Sequence, residues 1–128
     1  LQKVLGLGIK ENDFFSLFEL DEIEETIVGI IAGMIYGSGK ANPRKPIIAL
    51  TESDSDTTCY KVSSRANYDL IKQGLDLGKA MKEINQELPG EGGGGHSVSA
   101  GIKFKKEFKE KFFELLEKKI KEQMKQDL

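Results

Sequence analysis

The sequence predicts an α/β fold, in which a mixed β-sheet of about five short strands is flanked by helices on both faces and followed by a long C-terminal helix. Short apolar, aromatic or β-branched runs alternate along the chain with stretches that keep a helical period. The length of 128 residues fits one domain with a core of its own. We therefore expect residues 1–128 to form a single domain, with residues 1–12 as a lead-in segment.

Four segments are predicted as strands because they are apolar, aromatic or β-branched and lie next to turn residues or prolines. They are residues 14–20, 47–50, 57–65 and 101–104. Side chains alternate between the two faces of a strand, so Lys61, Ser63 and Arg65 are predicted to share one face.

Helical spacing of apolar residues predicts four helices, over residues 21–36, 67–74, 76–88 and the last 24 residues. Asp21 followed by Glu24 resembles a capping box at the start of the first helix. Within that helix Gly29, Gly33 and Gly37 lie four residues apart. This spacing predicts a face that approaches other backbone closely.

Composition excludes several classes of protein. The net charge of −2 gives no global basic signature of a nucleic-acid-binding protein. The longest uncharged apolar run, about ten residues, is too short to cross a bilayer. The single cysteine, Cys59, excludes a disulfide framework and a structural zinc site, and it favours a reducing, cytoplasmic setting. The chain begins with Leu1, which favours a piece of a longer protein.

The main candidate site is the run from Gly92 to His96, four glycines followed by a histidine. Residues 89–95 are predicted to form a loop whose backbone N–H groups converge on an anion, since glycine permits left-handed conformations and leaves room for a ligand. A helix beginning after His96 would add positive potential, and the imidazole would donate a hydrogen bond. The alternative is a flexible linker, but the run lies between two strong elements.

Ser63 and Arg65 form a second candidate site, because their spacing places a hydroxyl beside a guanidinium. The rigid donor fork of arginine suits phosphate. The alternative is a strand-end arginine paired with a surface carboxylate. Asp54 and Asp56 are predicted to form a solvated turn rather than a metal site, since no histidine or third carboxylate is near them in the sequence.

Residues 93–101, GGGHSVSAG, resemble the G-G-G-H-x-x-A-A-G signature of type 1 DHH-associated domains, which are the C-terminal lobes of DHH phosphoesterases. Residues 25–34, 61–65 (KVSSR, similar to the family's V-S-x-R strand) and 74–78 agree in the family's order. Ser97 stands where proline is common and Ser99 where alanine is common, and both small residues preserve a tight turn. These segments are most similar to archaeal RecJ-like single-strand nucleases.

This resemblance implies a domain that grips single-stranded nucleic acid across a cleft from a DHH lobe, which carries manganese and the chemistry. Carried over by position, the residues that bind phosphate, base or backbone would be Ser63, Arg65, Gly93, Gly94, Gly95 and His96. The chain alone is expected to be inactive, with no catalytic residue and no metal of its own. The implied partners are a short oligonucleotide, the DHH domain of the same protein and replication factors such as GINS, with no membrane.

Three alternatives remain open from the sequence. The domain could serve an oligonucleotide or cyclic-dinucleotide phosphodiesterase, act as a replisome interaction module that has lost substrate binding, or resemble the RNA-binding C-terminal domain of alanyl-tRNA synthetases. An upstream DHH lobe in the intact gene would favour the nuclease, and an aminoacylation domain would favour the synthetase. The sequence does not distinguish DNA from RNA or define cleavage polarity and oligomeric state.

Overall fold

The computed structural model describes residues 10–20, 33–34, 44–53 and 55–124. These ranges contain six strands: β1 (Lys10–Glu11), β2 (Ser16–Leu20), β3 (Ile47–Glu52), β4 (Cys59–Arg65), β5 (Gly90–His96) and β6 (Ser99–Lys105). They also contain the helices α1 (Tyr68–Lys72), α2 (Leu77–Glu87) and α3 (Lys109–Met124), with a 3-10 turn at Lys106–Phe108 before α3. The α/β class and the long C-terminal helix are therefore confirmed.

The strands form one mixed sheet in the order β1-β2-β3-β4-β6-β5. Strands β2 and β3 are parallel, and every other neighbouring pair is antiparallel. Two of the strands were not predicted: β1 lies inside the expected lead-in segment, and β5 overlaps the glycine loop expected at residues 89–95. Both segments are extended because they pair with a neighbouring strand, β1 with β2 and β5 with β6, and their own residues carry no strand pattern.

The main core lies between one face of the sheet and helices α2 and α3. Alternate residues of the central strands point into it, among them Val62, Ile102 and Phe104, which are at most 2% exposed. The two helices contribute an apolar stripe of Leu77, Met81, Ile84, Leu88, Phe112, Leu116 and Ile120. The rings of Phe104 and Phe112 stack with their centroids 4.8 Å apart. The opposite sheet face of β4, β5 and β6 points away from both helices.

Helices on both faces of the sheet were predicted, and the described helices α2 and α3 account for one face. The helix predicted over residues 21–36 lies outside the described residues, except for the helical residues Gly33 and Met34. None of the helices in the described ranges is long and apolar enough to cross a membrane.

Gly33 does not make the close backbone contact that its spacing predicted. It is exposed, and an added Cβ would meet no atom within 4 Å. The prediction is therefore wrong at this position, while Gly29 and Gly37 lie outside the described residues. A four-residue glycine spacing shows only that close approach is sterically possible.

Candidate functional site

The strand register brings the two predicted sites together on the sheet face that points away from α2 and α3. Arg65 of β4 pairs with Ser99 of β6, and Ser99 pairs with His96 of β5. Directly paired residues have Cβ atoms about 4.5–5.5 Å apart. Arg65, Ser99 and His96 therefore form a first row of side chains across three strands.

A second row lies two residues further along the strands. Here Ser63 pairs with Gly101, and Gly101 pairs with Gly94. The surface formed by these two rows is called the binding face below. The predicted sharing of one face by Ser63 and Arg65 is confirmed by this register.

The glycine run forms strand β5, so the prediction of a loop is wrong. Its glycines let helix α2 lie directly against the strand backbone. A Cβ on Gly93 would lie 2.4 Å from the Cβ of Asn85, and a Cβ on Gly78 of α2 would lie 2.4 Å from the carbonyl oxygen of Gly95. Gly94 has a φ of 142°, and its Cβ position is open. The run is thus part of the framework as well as a candidate site.

The predicted anion nest differs from the observed backbone. No helix begins after His96, because a turn at residues 97–98 leads directly into β6. The N–H of Gly93 donates to Oδ1 of Asn85 at 3.1 Å. Strand β5 is one of the two edge strands of the described sheet, and an edge strand presents backbone groups outside the sheet ladder, here in an extended geometry rather than a looped one.

Arg65 is half-buried, and its Nη1 donates to the carbonyl oxygen of Ser64 at 2.8 Å. Burial lowers the pKa of its guanidinium, which still stays charged at neutral pH. Within the described ranges no carboxylate forms an ion pair with Arg65, so the alternative of a surface ion pair receives no support there. The guanidinium therefore keeps donors for an anion.

Ser63 is 9% exposed, and its hydroxyl has no hydrogen-bond partner among the described residues. A buried polar group without a partner destabilises a protein by about 1–3 kcal/mol. A ligand on the binding face would supply that partner. His96 is exposed at the end of the first row, where its ring is accessible to a ligand.

Lysines continue the binding face beyond the two rows. Lys61 pairs with Lys103 in a third row, and Lys105 follows two residues further along β6. Lys105 forms an ion pair of 3.4 Å with Asp56. Sequence analysis placed Lys61 on the correct face without selecting it, since its neighbours depend on the strand register, which no local sequence signal defines.

Asp56 belongs to a turn, as predicted. Its Oδ1 accepts hydrogen bonds from the hydroxyl and the N–H of Thr58, and these hold the pKa of the carboxyl well below its usual range. Asp54 lies outside the described residues. Over the ranges that the structure describes, no three His, Cys, Asp or Glu side chains come together as a possible metal site.

Together, the mixed sheet, the glycine strand packed on a helix and the row of Arg65, Ser99 and His96 define an α/β domain with a candidate site for an anionic ligand. The family model of the DHHA1 domain matches residues 12–122. The chain therefore belongs to the DHHA1 family of DHH-associated domains. No curated protein matches it.

Solved structures share this fold. The C-Ala domain of Aquifex aeolicus alanyl-tRNA synthetase is 17% identical, with a TM-score of 0.64 over 88% of this chain and 96% of that one. A DHH-domain protein described as belonging to a family of ribosomal proteins is 24% identical, with a TM-score of 0.64 over 93% of this chain and 30% of that one. The pGpG-specific phosphodiesterase PggH from Vibrio cholerae is 16% identical, with a TM-score of 0.61 over 95% of this chain and 38% of that one.

The present chain thus spans about a third of each of the latter two proteins. At these identities the similarity shows the fold alone. The resemblance to DHH-associated domains is confirmed, and the RecJ-like type stays a prediction.

Proposed function

We propose that this chain is the substrate-binding domain of a DHH phosphoesterase and that it holds single-stranded nucleic acid, or a short oligonucleotide, on the binding face. The observation that carries the proposal is the register, which aligns Arg65, Ser99 and His96 in one row beside Ser63 and Gly94. Membership of the DHHA1 family supports a DHH domain in the same protein as the partner across the cleft.

The two rows offer complementary contacts to a nucleotide. The guanidinium of Arg65 can bind two phosphate oxygens at once, and the serine hydroxyls add neutral donors. The imidazole of His96 can donate a hydrogen bond to the ligand. Gly94 has no side chain, so a sugar or base can approach the sheet closely. With a net charge of −2, the chain depends on these local contacts rather than on long-range attraction.

Hydrolysis belongs, in this proposal, to the separate DHH domain, where manganese is expected. The described residues of this chain do not provide a cluster that fits a metal, so no step is assigned to one here. We favour a RecJ-like exonuclease as the parent protein. The similarity to a pGpG-specific phosphodiesterase favours a second form, in which the same face holds a linear dinucleotide. A cytoplasmic setting and contacts with replication factors such as GINS stay predictions.

Fluorescence anisotropy with labelled single-stranded DNA and RNA tests this proposal. Arg65→Ala should weaken binding by about 1.5–3 kcal/mol, the contribution of a hydrogen bond to a charged group. His96→Ala should also weaken binding, because it removes the hydrogen-bond donor at the end of the first row. The control is Lys118→Ala, an exposed lysine on α3, which covers the opposite face of the sheet.

The control variant should bind like the parent, and the chain with added manganese should leave the oligonucleotide intact. If Arg65→Ala and His96→Ala keep the parental affinity while Lys118→Ala loses it, the basic helix is the site and the proposal is wrong. Manganese-dependent cleavage by a contaminant-checked preparation would contradict the assignment of hydrolysis to another domain.

A further inference from the structure

We infer that Lys61, with Lys103 beside it, forms a second phosphate subsite on the binding face, so that the ligand is held through at least two phosphates. This inference rests on the proposed function and adds a second contact along the oligonucleotide backbone, which a mononucleotide could not make. It is carried by the position, the surroundings and the charge of Lys61.

The side chain of Lys61 extends from the third row to the second row. Lys61 lies two residues before Ser63 on β4, and its side chain leans toward Gly101 in the second row. An added Cβ on Gly101 would lie 3.2 Å from Nζ of Lys61 and 3.7 Å from its Cε. The missing side chain of Gly101 thus makes room for the ammonium group beside Ser63 and Gly94.

The charge of Lys61 is not neutralised by any residue in the described part of the chain, where it has no hydrogen bond or ion pair. Its direct cross-strand neighbours are Thr51 on β3 and Lys103 on β6, and like charges directly opposite each other destabilise a sheet. Lys103 donates to Oγ of Ser55 at 3.0 Å and lies 3.8 Å from the carboxylate of Glu91. Lys61 therefore carries the positive charge that an anionic ligand would offset.

The distance between the rows indicates that Arg65 and Lys61 bind two different phosphates of the ligand. Successive rows are about 7 Å apart, because two residues of an antiparallel strand rise about 3.4 Å each. A phosphate bound in the first row at Arg65 leaves the ammonium of Lys61 for the next phosphate of the same ligand. The ligand backbone would then run along β4.

The test compares a labelled thymidine tetranucleotide with thymidine 5′-monophosphate as competitor. Lys61→Gln should weaken the binding of the tetranucleotide about fivefold, which is the upper range for an exposed ion pair. The affinity for the monophosphate should stay unchanged. The substitution should also reduce the dependence of log K on log salt by about 0.7, the value for one phosphate contact in a single strand. Lys61→Arg keeps the charge and should retain most of the affinity, and Lys118→Gln is the matched control.

Two failures can be told apart. If Arg65→Ala weakens both ligands but Lys61→Gln keeps the parental affinity and salt dependence, the second subsite is wrong and the proposed function stands. If the parent binds neither ligand, or Arg65→Ala binds like the parent, the proposed function fails and this inference fails with it. A melting temperature at or above that of the parent shows that Lys61→Gln is folded, since the substitution removes the repulsion between Lys61 and Lys103. Should it unfold, Lys61→Met, which also removes the charge, is measured and judged by the same criteria.

Discussion

Replacing Gly78 with alanine should destabilise the domain, although alanine is the better helix former. Gly78 is buried in the first turn of α2, where the helix meets strand β5. A Cβ at this position would lie 2.4 Å from the carbonyl oxygen of Gly95, 2.9 Å from its carbonyl carbon and 3.1 Å from the carbonyl oxygen of His96. Because all three atoms belong to the backbone, the helix or the strand has to move.

Two opposing effects decide the sign. Alanine is favoured over glycine by about 1 kcal/mol inside a helix. Overpacking a close contact costs about 1–3 kcal/mol, and a contact with backbone leaves no side chain to rotate away. Since no contacting atom can rotate away, the cost lies in the upper part of that range, about 2–3 kcal/mol, and Gly78→Ala should lower the free energy of unfolding by about 1–2 kcal/mol. Binding of the oligonucleotide should fall as well, because the displaced strand carries His96.

Urea denaturation followed by circular dichroism measures this change, and Gly33→Ala is the matched control. Gly33 is also helical but exposed, with no atom within 4 Å of an added Cβ. The same substitution there should raise stability by up to about 1 kcal/mol through helix propensity. A Gly78→Ala variant as stable as the parent would show that β5 does not lie against α2 as described.

Three further substitutions test the local structure. The side chain of Asn67 caps α1 and accepts a hydrogen bond from the N–H of Leu70 at 2.9 Å. Asn67→Ala should therefore lower the free energy of unfolding, measured by urea denaturation, by about 1 kcal/mol, the contribution of an N-cap. Phe112 is fully buried, so Phe112→Ala should lower the free energy of unfolding by about 3–5 kcal/mol in the same assay. A smaller decrease would contradict its position in the core. The lowered pKa of Asp56 means that its carboxylate stabilises the fold above about pH 4 and that this contribution is lost as the pH falls. Acid titration of Asp56→Ala should accordingly show a smaller loss below about pH 4 than the parent.

The elements that the sequence predicted well are those whose own residues determine them. Helix α2 shows a regular apolar stripe and an acidic cap at Asp76, whose side chain accepts from the N–H of Lys79 at 3.0 Å. Strand β4 alternates clearly enough that its two faces could be assigned. In both elements the local pattern and the tertiary packing agree, so the pattern alone was sufficient.

Strand β5 was missed because its sequence carries no side-chain pattern. Residues 92–95 are all glycine, which by propensity indicates a turn or a linker. Pairing with β6 and packing against α2 make this segment extended, and both are tertiary contacts. For the same reason the sequence predicted only part of the candidate site. Parity predicted that Ser63 and Arg65 share a face, but only the register shows that His96 lies in the same row as Arg65.

The observed geometry changes the reason why glycines are needed at this site. Gly93 has atoms of Asn85 and Met81 at 2.4 and 2.6 Å from its Cβ position, whereas the Cβ position of Gly94 is open. Neighbouring residues of a strand point to opposite faces, so one segment without side chains lets α2 approach on one face and leaves room for the proposed ligand on the other. Gly94 additionally needs glycine for its φ of 142°. Strand β5 is held in place by α2, so in the proposed function its backbone is already ordered before the ligand binds. Binding to such a strand costs less conformational entropy than binding to a flexible loop.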